Sequence, residues 1–300
     1  MMKDQAHTLR RIFEEGTSKN PEVLSVTSGK GGVGKTSIVV NMAILLASRG
    51  KKVLVLDADL GLANVDVMLG ITPKLTIQHV LDGACSIEDI VLAGPAGIKI
   101  IPASSGIQEL ADLNPEQQIS LVNALDHFDG EFDYMIIDTG AGISRNVMYF
   151  NAASQRVIVV ATAEPTSITD AYALIKVLRK HYGIKRFDLI VNNVTSKIEG
   201  DQVAEKLILV CDRFLGDVAL EMLGSIPHDK FIPECIKAQK AFVGVNPNSD
   251  ATKKLARIAG RLEETSRASL GGNLQFFFRK MLLNQAKGTD HAGYHVHGTY

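Results

Sequence analysis

The run Ser28-Gly29-Lys30-Gly31-Gly32-Val33-Gly34-Lys35-Thr36-Ser37 constrains this chain more than any other stretch. It follows an apolar segment, Val23 to Val26, that reads as a buried strand, and it opens into Ile38 to Ala47, whose apolar positions recur at helical spacing. Strand, glycine loop and helix in that order turn successive backbone N–H groups and a helix N-terminus onto one anion, because no Cβ stands in the way. A nucleotide polyphosphate suits that cradle. Lys35 reaches the outer phosphates as a point charge, and the Thr36 hydroxyl is placed to ligate the Mg²⁺ that bridges them. Gly29, Gly31 and Gly34 also satisfy the dinucleotide pattern G-x-G-x-x-G, with Asp57 following at a suitable distance. The Lys35-Thr36 pair decides between the two readings. A triphosphate with Mg²⁺ uses both an ammonium and a hydroxyl at the helix start, and a dinucleotide uses neither.

Binding needs only the loop; hydrolysis needs carboxylates beside it. Asp57-Ala58-Asp59 follows the second apolar strand, and residues two apart on a strand point the same way. One carboxylate is expected to hold a water of the Mg²⁺ shell and the other to orient the attacking water. Asp138-Thr139-Gly140-Ala141-Gly142 follows a third apolar run, Tyr134 to Ile137. An acid there stands behind the Mg²⁺, and the flexible Gly-Ala-Gly can approach the γ-phosphate and report its loss. The metal set is therefore Thr36, Asp57 and Asp138. No Asn/Thr-Lys-x-Asp run occurs, so adenine is favoured over guanine.

Hydrophobic residues make up 46% of the 300-residue chain and charged ones 22%, enough for a large core. The formal net charge of −1 removes any global basic field, so DNA is not the expected partner. Cys85, Cys211 and Cys235 are widely spaced without C-x-x-C, which predicts reduced thiols rather than disulfides or zinc. Met1 to Arg11 is charged, and no apolar run approaches the span of a bilayer, so neither a signal peptide nor a membrane-spanning helix is expected.

Seven strands are predicted, at Val23–Thr27, Lys52–Leu56, Ile98–Ile101, Tyr134–Ile137, Arg156–Ala161, Phe187–Val191 and Leu223–Ile226. Most are apolar at consecutive positions, which means burial on both faces. The fold class is α/β: a single P-loop NTPase domain with a mostly parallel, twisted sheet and helices on both faces. It is expected over residues 20–264, preceded by a helix-forming arm at 1–19. Residues 265–300 read as a linker, an amphipathic helix at about 273–285 and a loose tail. Leu274, Phe277, Phe278, Met281 and Leu282 share one face of that helix, flanked by Arg279 and Lys280. His291, His295 and His297 in the tail are a compositional cluster rather than a metal site.

The second lysine inside the loop, Lys30, makes Lys30-Gly31-Gly32-Val33-Gly34-Lys35-Thr36 resemble the deviant Walker loop of the MinD/ParA ATPases. The Asp57–Asn64 and Asp138–Gly142 segments resemble that family's two switches, with Thr139-Gly140 where Ser-Pro is common. The resemblance spans about residues 23 to 263. It implies an ATP and Mg²⁺ cofactor pair, a catalytic set of Lys30, Lys35 and Asp59, and a homodimer in which Lys30 reaches the partner's nucleotide. Asp59 takes the place of the residue that positions the attacking water. Asn192, Pro227 and Asp229 resemble the adenine-contacting positions.

Within the family, Asp4-Gln5-Ala6-His7-Thr8-Leu9-Arg10 is similar to the N-terminal motif of the flagellar-number regulators, the FlhG/FleN group. The segment Glu164 to Tyr172 resembles the same group. The resemblance implies that Asp4, Gln5, Ala6, Leu9 and Arg10 stimulate an FlhF-type signal-recognition GTPase, with Gln5 beside the partner's GTP. It also implies inner-membrane binding through the C-terminal helix from a cytoplasmic pool. A flagellar transcription regulator (FleQ-like) or a rotor protein is a further implied partner. A ParA-type partitioning ATPase, with Lys176, Arg179, Lys180, Lys185 and Arg186 as its basic surface, and a MinD-type division-site regulator are the alternatives.

Overall fold

Strands that are apolar on both faces need helices on both faces, and the chain supplies them in alternation. The computed structural model describes residues 21–59, 64–75, 79–80, 82–102 and 131–265. Its frame is an eight-stranded sheet: β1 (Glu22–Ser28), β2 (Val53–Ala58), β3 (Leu92–Ala93), β4 (Lys99–Ile101), β5 (Tyr134–Ala141), β6 (Arg156–Ala161), β7 (Arg186–Val194) and β8 (Ala219–Pro227). The order across the sheet is β3-β4-β2-β5-β1-β6-β7-β8, and every described pairing is parallel except β3–β4. The helices are α1 (Lys35–Ala47), α2 (Val65–Leu69), α3 (Arg145–Ala153), α4 (Pro165–Tyr182), α5 (Lys197–Leu215), α6 (Phe231–Lys237), α7 (Phe242–Val245) and α8 (Asp250–Glu264).

One face of the sheet is covered by α1, α7 and α8, through Met42, Leu46, Val243, Leu255 and Leu262 packed over Val26 and Ile136. The other is covered by α3, α4 and α5 through Tyr149, Leu174 and Leu207. The parallel α/β architecture is thus as the apolar runs predict. Strand bounds differ from expectation in several places: β5 runs on past Ile137 to Ala141 and so contains Asp138, β7 extends to Val194, and two edge strands differ for further physical reasons. β3 is a two-residue antiparallel edge strand, too short to carry a pattern. β8 begins at Ala219 rather than Leu223, because as the opposite edge strand it leaves alternate residues exposed and hides its first half from an apolar-run search. The last helix, α8, begins after Ser249, which caps it: the Thr252 amide donates to Ser249 Oγ at 3.1 Å.

At the end of the sheet away from the glycine loop, Arg156 is fully buried. Its guanidinium forms a two-pronged pair with Asp188, faces Glu22 at 3.9 Å, and donates from Nη1 to the Thr265 hydroxyl at 2.9 Å. Charges are tolerated in such a place only when paired and hydrogen-bonded. The pair links β6 to β7, and Thr265 brings the end of α8 onto both. Cys211 and Cys235 are buried, Cys85 is half-buried, and none is bonded to another. No helix among the described residues is long and apolar enough to cross a membrane. The arm at 1–19 and the helix at 273–285 lie outside the described residues.

Candidate nucleotide site

β1 has β5 on one side and β6 on the other, so the chain leaves its C-terminal end at the point where strand order reverses, the usual ligand crevice of an open parallel sheet. Gly29 sits there because nothing larger fits: a Cβ would lie 2.2 Å from the Asp170 backbone, so α4 packs directly on the loop. Gly34 has φ 93°, and a Cβ there would also meet the Asn192 amide at 2.5 Å. Ser28 Oγ donates to the Lys30 carbonyl at 2.6 Å, and Asn192 Nδ2 to the Val33 carbonyl at 2.8 Å. Hydrogen bonds at its start and far end thus hold the loop before any ligand arrives.

Two hollows flank the loop. On the phosphate side, a cavity of about 750 Å³ is bounded by Gly31, Gly32, Gly34, Lys35, Thr36 and Ser37, and across from them by Asp59, Asn64 and the α6 end. Lys35 is buried, and burial lowers its pKa while Asp138 and Asp59 pull it back up. Asp57 and Asp138 are register partners on β2 and β5, both wholly buried. Their circumstances differ. Asp57 accepts the amides of Asp59, Asn64 and Val65 at 3.0–3.1 Å, which pins the start of α2; burial nevertheless raises its pKa to about 6. Asp138 has no well-formed hydrogen bond at either oxygen, although the Thr36 hydroxyl is near enough to favour its charged form. Burial, then the Asp57 charge, push it up to about 7.

A buried carboxylate without a partner calls for a cation. Thr36 and Asp138, with Asp57 behind, fit Mg²⁺ completed by phosphate oxygens and water; no group of three or more His, Cys, Asp or Glu side chains among the described residues could hold a metal by itself. Mg²⁺ in this position neutralises the charge that builds on the transferring phosphoryl group. Asp59 borders the same cavity from the loop after β2: Asn64 Nδ2 donates to its Oδ2 at 3.1 Å, and its Oδ1 would lie 3.4 Å from a Cβ on Gly140. It therefore stands between the two predicted switches. On β5, the Thr139 hydroxyl donates to the Val26 carbonyl and the Gly142 amide to the Ser28 carbonyl, so the second switch is tied to β1.

On the other flank, called here the base side, a smaller cavity of about 290 Å³ is lined by Asn192, Pro227 and Asp229 together with residues the sequence did not point to. Asn193, with φ 60°, accepts through its Oδ1 from His228 Nδ1 at 2.8 Å, joining the ends of β7 and β8. Asp229 Oδ1 accepts the Phe231 amide, the first of α6. The Thr162 hydroxyl borders the same cavity, buried and with no hydrogen-bond partner. A polar dipeptide ending a strand, Asn192-Asn193, was the available signal; Thr162 and His228 carry none of their own. Lys30 lies on the rim. Its ammonium pairs with Glu164 and donates to Thr166 Oγ1 at 3.0 Å, both at the start of α4.

The two cavities and the loop between them are the frame of a nucleoside triphosphate site, and comparison with known proteins agrees. A family model described as an AAA domain matches residues 21–191. The chain is 42% identical over 275 residues to the antiactivator FleN of Pseudomonas aeruginosa, covering 91% of this chain and 98% of that one. It is 35% identical to the flagellum site-determining protein YlxH of Helicobacter pylori, covering 88% and 90%. The septum site-determining protein MinD of Pyrococcus horikoshii, solved with Mg-ADP, superimposes with a TM-score of 0.63 at 25% identity, covering 83% of this chain and 97% of that one. The chain belongs to the MinD/ParA family of ATPases. Its fold is that family's mostly parallel P-loop sheet, and its activity is Mg²⁺-dependent hydrolysis of ATP. In this MinD/ParA ATPase the Lys237 side chain also borders the phosphate cavity, a further cation that no motif marked.

Proposed function

We propose that this ATPase is a nucleotide-driven dimer switch that regulates flagellar number and placement. The observation that carries the switch is the position of Lys30. Its ammonium is held on the outer rim by Glu164 and Thr166 rather than over its own loop, where a second subunit's phosphates can draw it away. Val67, at 59% exposure, Ile143, at 54%, and Ile236 form an apolar fringe around the phosphate side, which a second copy would cover. In this reading Lys35 and Thr36 bind the phosphates and Mg²⁺, Asp138 and Asp57 stand behind the metal, and Asp59 orients the attacking water. Gly29 to Ser37 cradle the polyphosphate, and Asn192, Pro227 and Asp229 receive adenine.

The flagellar assignment rests on YlxH, whose name gives that role, on FleN, and on the Asp4–Arg10 motif. In it residues 1–19 stimulate an FlhF-type GTPase through Gln5, and residues 20–264 form the ATPase domain. The helix at about 273–285 brings the ATP-bound dimer from the cytoplasm to the inner membrane, two weak amphipathic anchors acting together. An antiactivator role adds a transcription regulator or a rotor protein as a further partner. The partitioning alternative loses ground at its basic surface, where Arg179 and Lys185 are both paired with Asp217.

Two measurements test the reading. Light scattering after gel filtration with a non-hydrolysable ATP analogue should give a dimer for wild type and a monomer for Lys30→Ala; a monomer in both ends the switch. A peptide of residues 1–19 should accelerate GTP turnover by the cognate FlhF-type enzyme, and its Gln5→Ala form should not. Absence of acceleration ends the flagellar assignment and leaves the ATPase intact.

A further inference from the structure

A hollow of about 850 Å³ runs along the outer edge of β8, on the side of the molecule away from the phosphate loop's own strands. Its floor is the edge strand itself, Met222 to Ser225, with Ile258 beside it. Its walls are the start of α5, bearing Lys197 and Asp201, and the face of α8 that carries Lys254, Arg257 and Arg261 at i, i+3 and i+7. Glycines keep it open. A Cβ on Gly224 would lie 3.0 Å from Ile258, and one on Gly260 would lie 3.4 Å from the Arg49 guanidinium.

An open sheet edge ordinarily invites another strand, and this one is blocked against that. The β7–β8 register slips at Leu223, a bulge, and Arg261 Nη1 donates to the Leu223 carbonyl at 2.7 Å. What the groove offers instead is charge above a half-buried strand edge. Arg49 is held by Glu263 and by the Ala256 carbonyl, and Arg261 by the strand. The side chains of Lys197, Lys254 and Arg257 make no ion pair or hydrogen bond among the described residues, and all three residues line the same hollow, from both walls. Asp201 and Glu264 border it too, so an anionic occupant must space its charges apart, as a peptide with separated carboxylates can and an unbroken phosphate backbone cannot. A membrane surface would not reach a strand recessed between two helices.

We infer that this groove binds an extended acidic segment of a partner protein, its carboxylates meeting Lys197, Lys254 and Arg257 and its apolar side chains resting on Met222 and the Gly224–Ser225 stretch of the strand edge. The inference goes beyond the flagellar reading and does not depend on it, because the groove shares no lining residue with either nucleotide cavity.

The test uses the full chain without nucleotide and a short fluorescein-labelled peptide in which glutamate alternates with leucine, followed by anisotropy. Saturable binding is expected, weakened about tenfold in the double variant Lys254→Glu, Arg257→Glu, since two desolvated charge pairs are reversed there. A peptide with lysine in place of glutamate should regain affinity for that variant, and ATP turnover should be unchanged, which separates lost contact from lost fold. Any of three results overturns the inference: no saturable binding to wild type, equal binding to wild type and variant, or tighter binding at the same salt to a single-stranded oligonucleotide or to phosphatidylglycerol vesicles than to the peptide.

Discussion

On the phosphate side of the nucleotide cleft Lys35, Asp57 and Asp138 are charges sealed inside the sheet, while on the base side Asn193 and His228 are exposed groups that meet each other across two strand ends. The first arrangement is costly without a ligand, because burial works against every charge in it. The second is already satisfied and changes little when a base arrives. Under the proposed reading of the cleft, the response to Mg²⁺ and phosphate belongs to one end and base selectivity to the other. Substitutions on the phosphate side should therefore alter turnover, and those on the base side should alter affinity.

The largest effect expected is from Lys35→Ala, which removes the cation closest to the reacting phosphates; phosphate release should fall about 10²–10³-fold. Asp59→Ala should slow hydrolysis by about 10²-fold, the size of one lost acid–base or water-orienting group, while a fluorescent ATP analogue still binds. If that variant loses binding instead, Asp59 is a structural tie to Asn64 and the catalytic assignment fails.

Asp57 and Asp138 give a pH test of the same contrast. Their folded pKa values, about 6 and about 7, lie above the ordinary carboxylate value of about 3.9. The folded state holds those protons more tightly than the unfolded one, so the stabilisation is fully present below about pH 3.9 and is lost as pH rises through 6 and 7. Melting of the nucleotide-free protein should accordingly rise by several degrees between about pH 8 and about pH 5, at roughly 2–4 °C per kcal/mol for a domain of this size. Mg-ADP should flatten that profile. A flat profile without nucleotide would mean that the buried pair carries no such strain. The smallest effect belongs to His228→Ala, where one hydrogen bond worth about 1 kcal/mol is removed from the base side; KM for ATP should rise about fivefold with kcat unchanged.

The same division explains what could be read from the residues in advance. Asp57 and Asp138 announce themselves because each follows directly on an apolar run, and a carboxylate near the mouth of a parallel sheet has few ordinary uses. Lys35 and Thr36 follow a glycine loop whose backbone demands are written in its composition. Asn193 and His228 are 35 positions apart and meet only through the β7–β8 pairing, which no local pattern encodes. α6 and α7 are too short for an amphipathic period, so the wall that brings Lys237 and Gln239 to the phosphate cavity was not foreseen either. What sequence conveys here is chemistry fixed by neighbours along the chain; contacts made by register or by short turns need the fold.

Arg156 has a mechanical meaning. Thr265, the last described residue, hangs from its guanidinium, which is itself gripped by Asp188 on β7 and faces Glu22 at the head of β1. Tension applied to the chain beyond Thr265 would be shared among three central strands rather than peeling α8 from the surface. A protein tethered by that end could be tugged without its nucleotide cleft, at the opposite end of the same strands, being pulled apart.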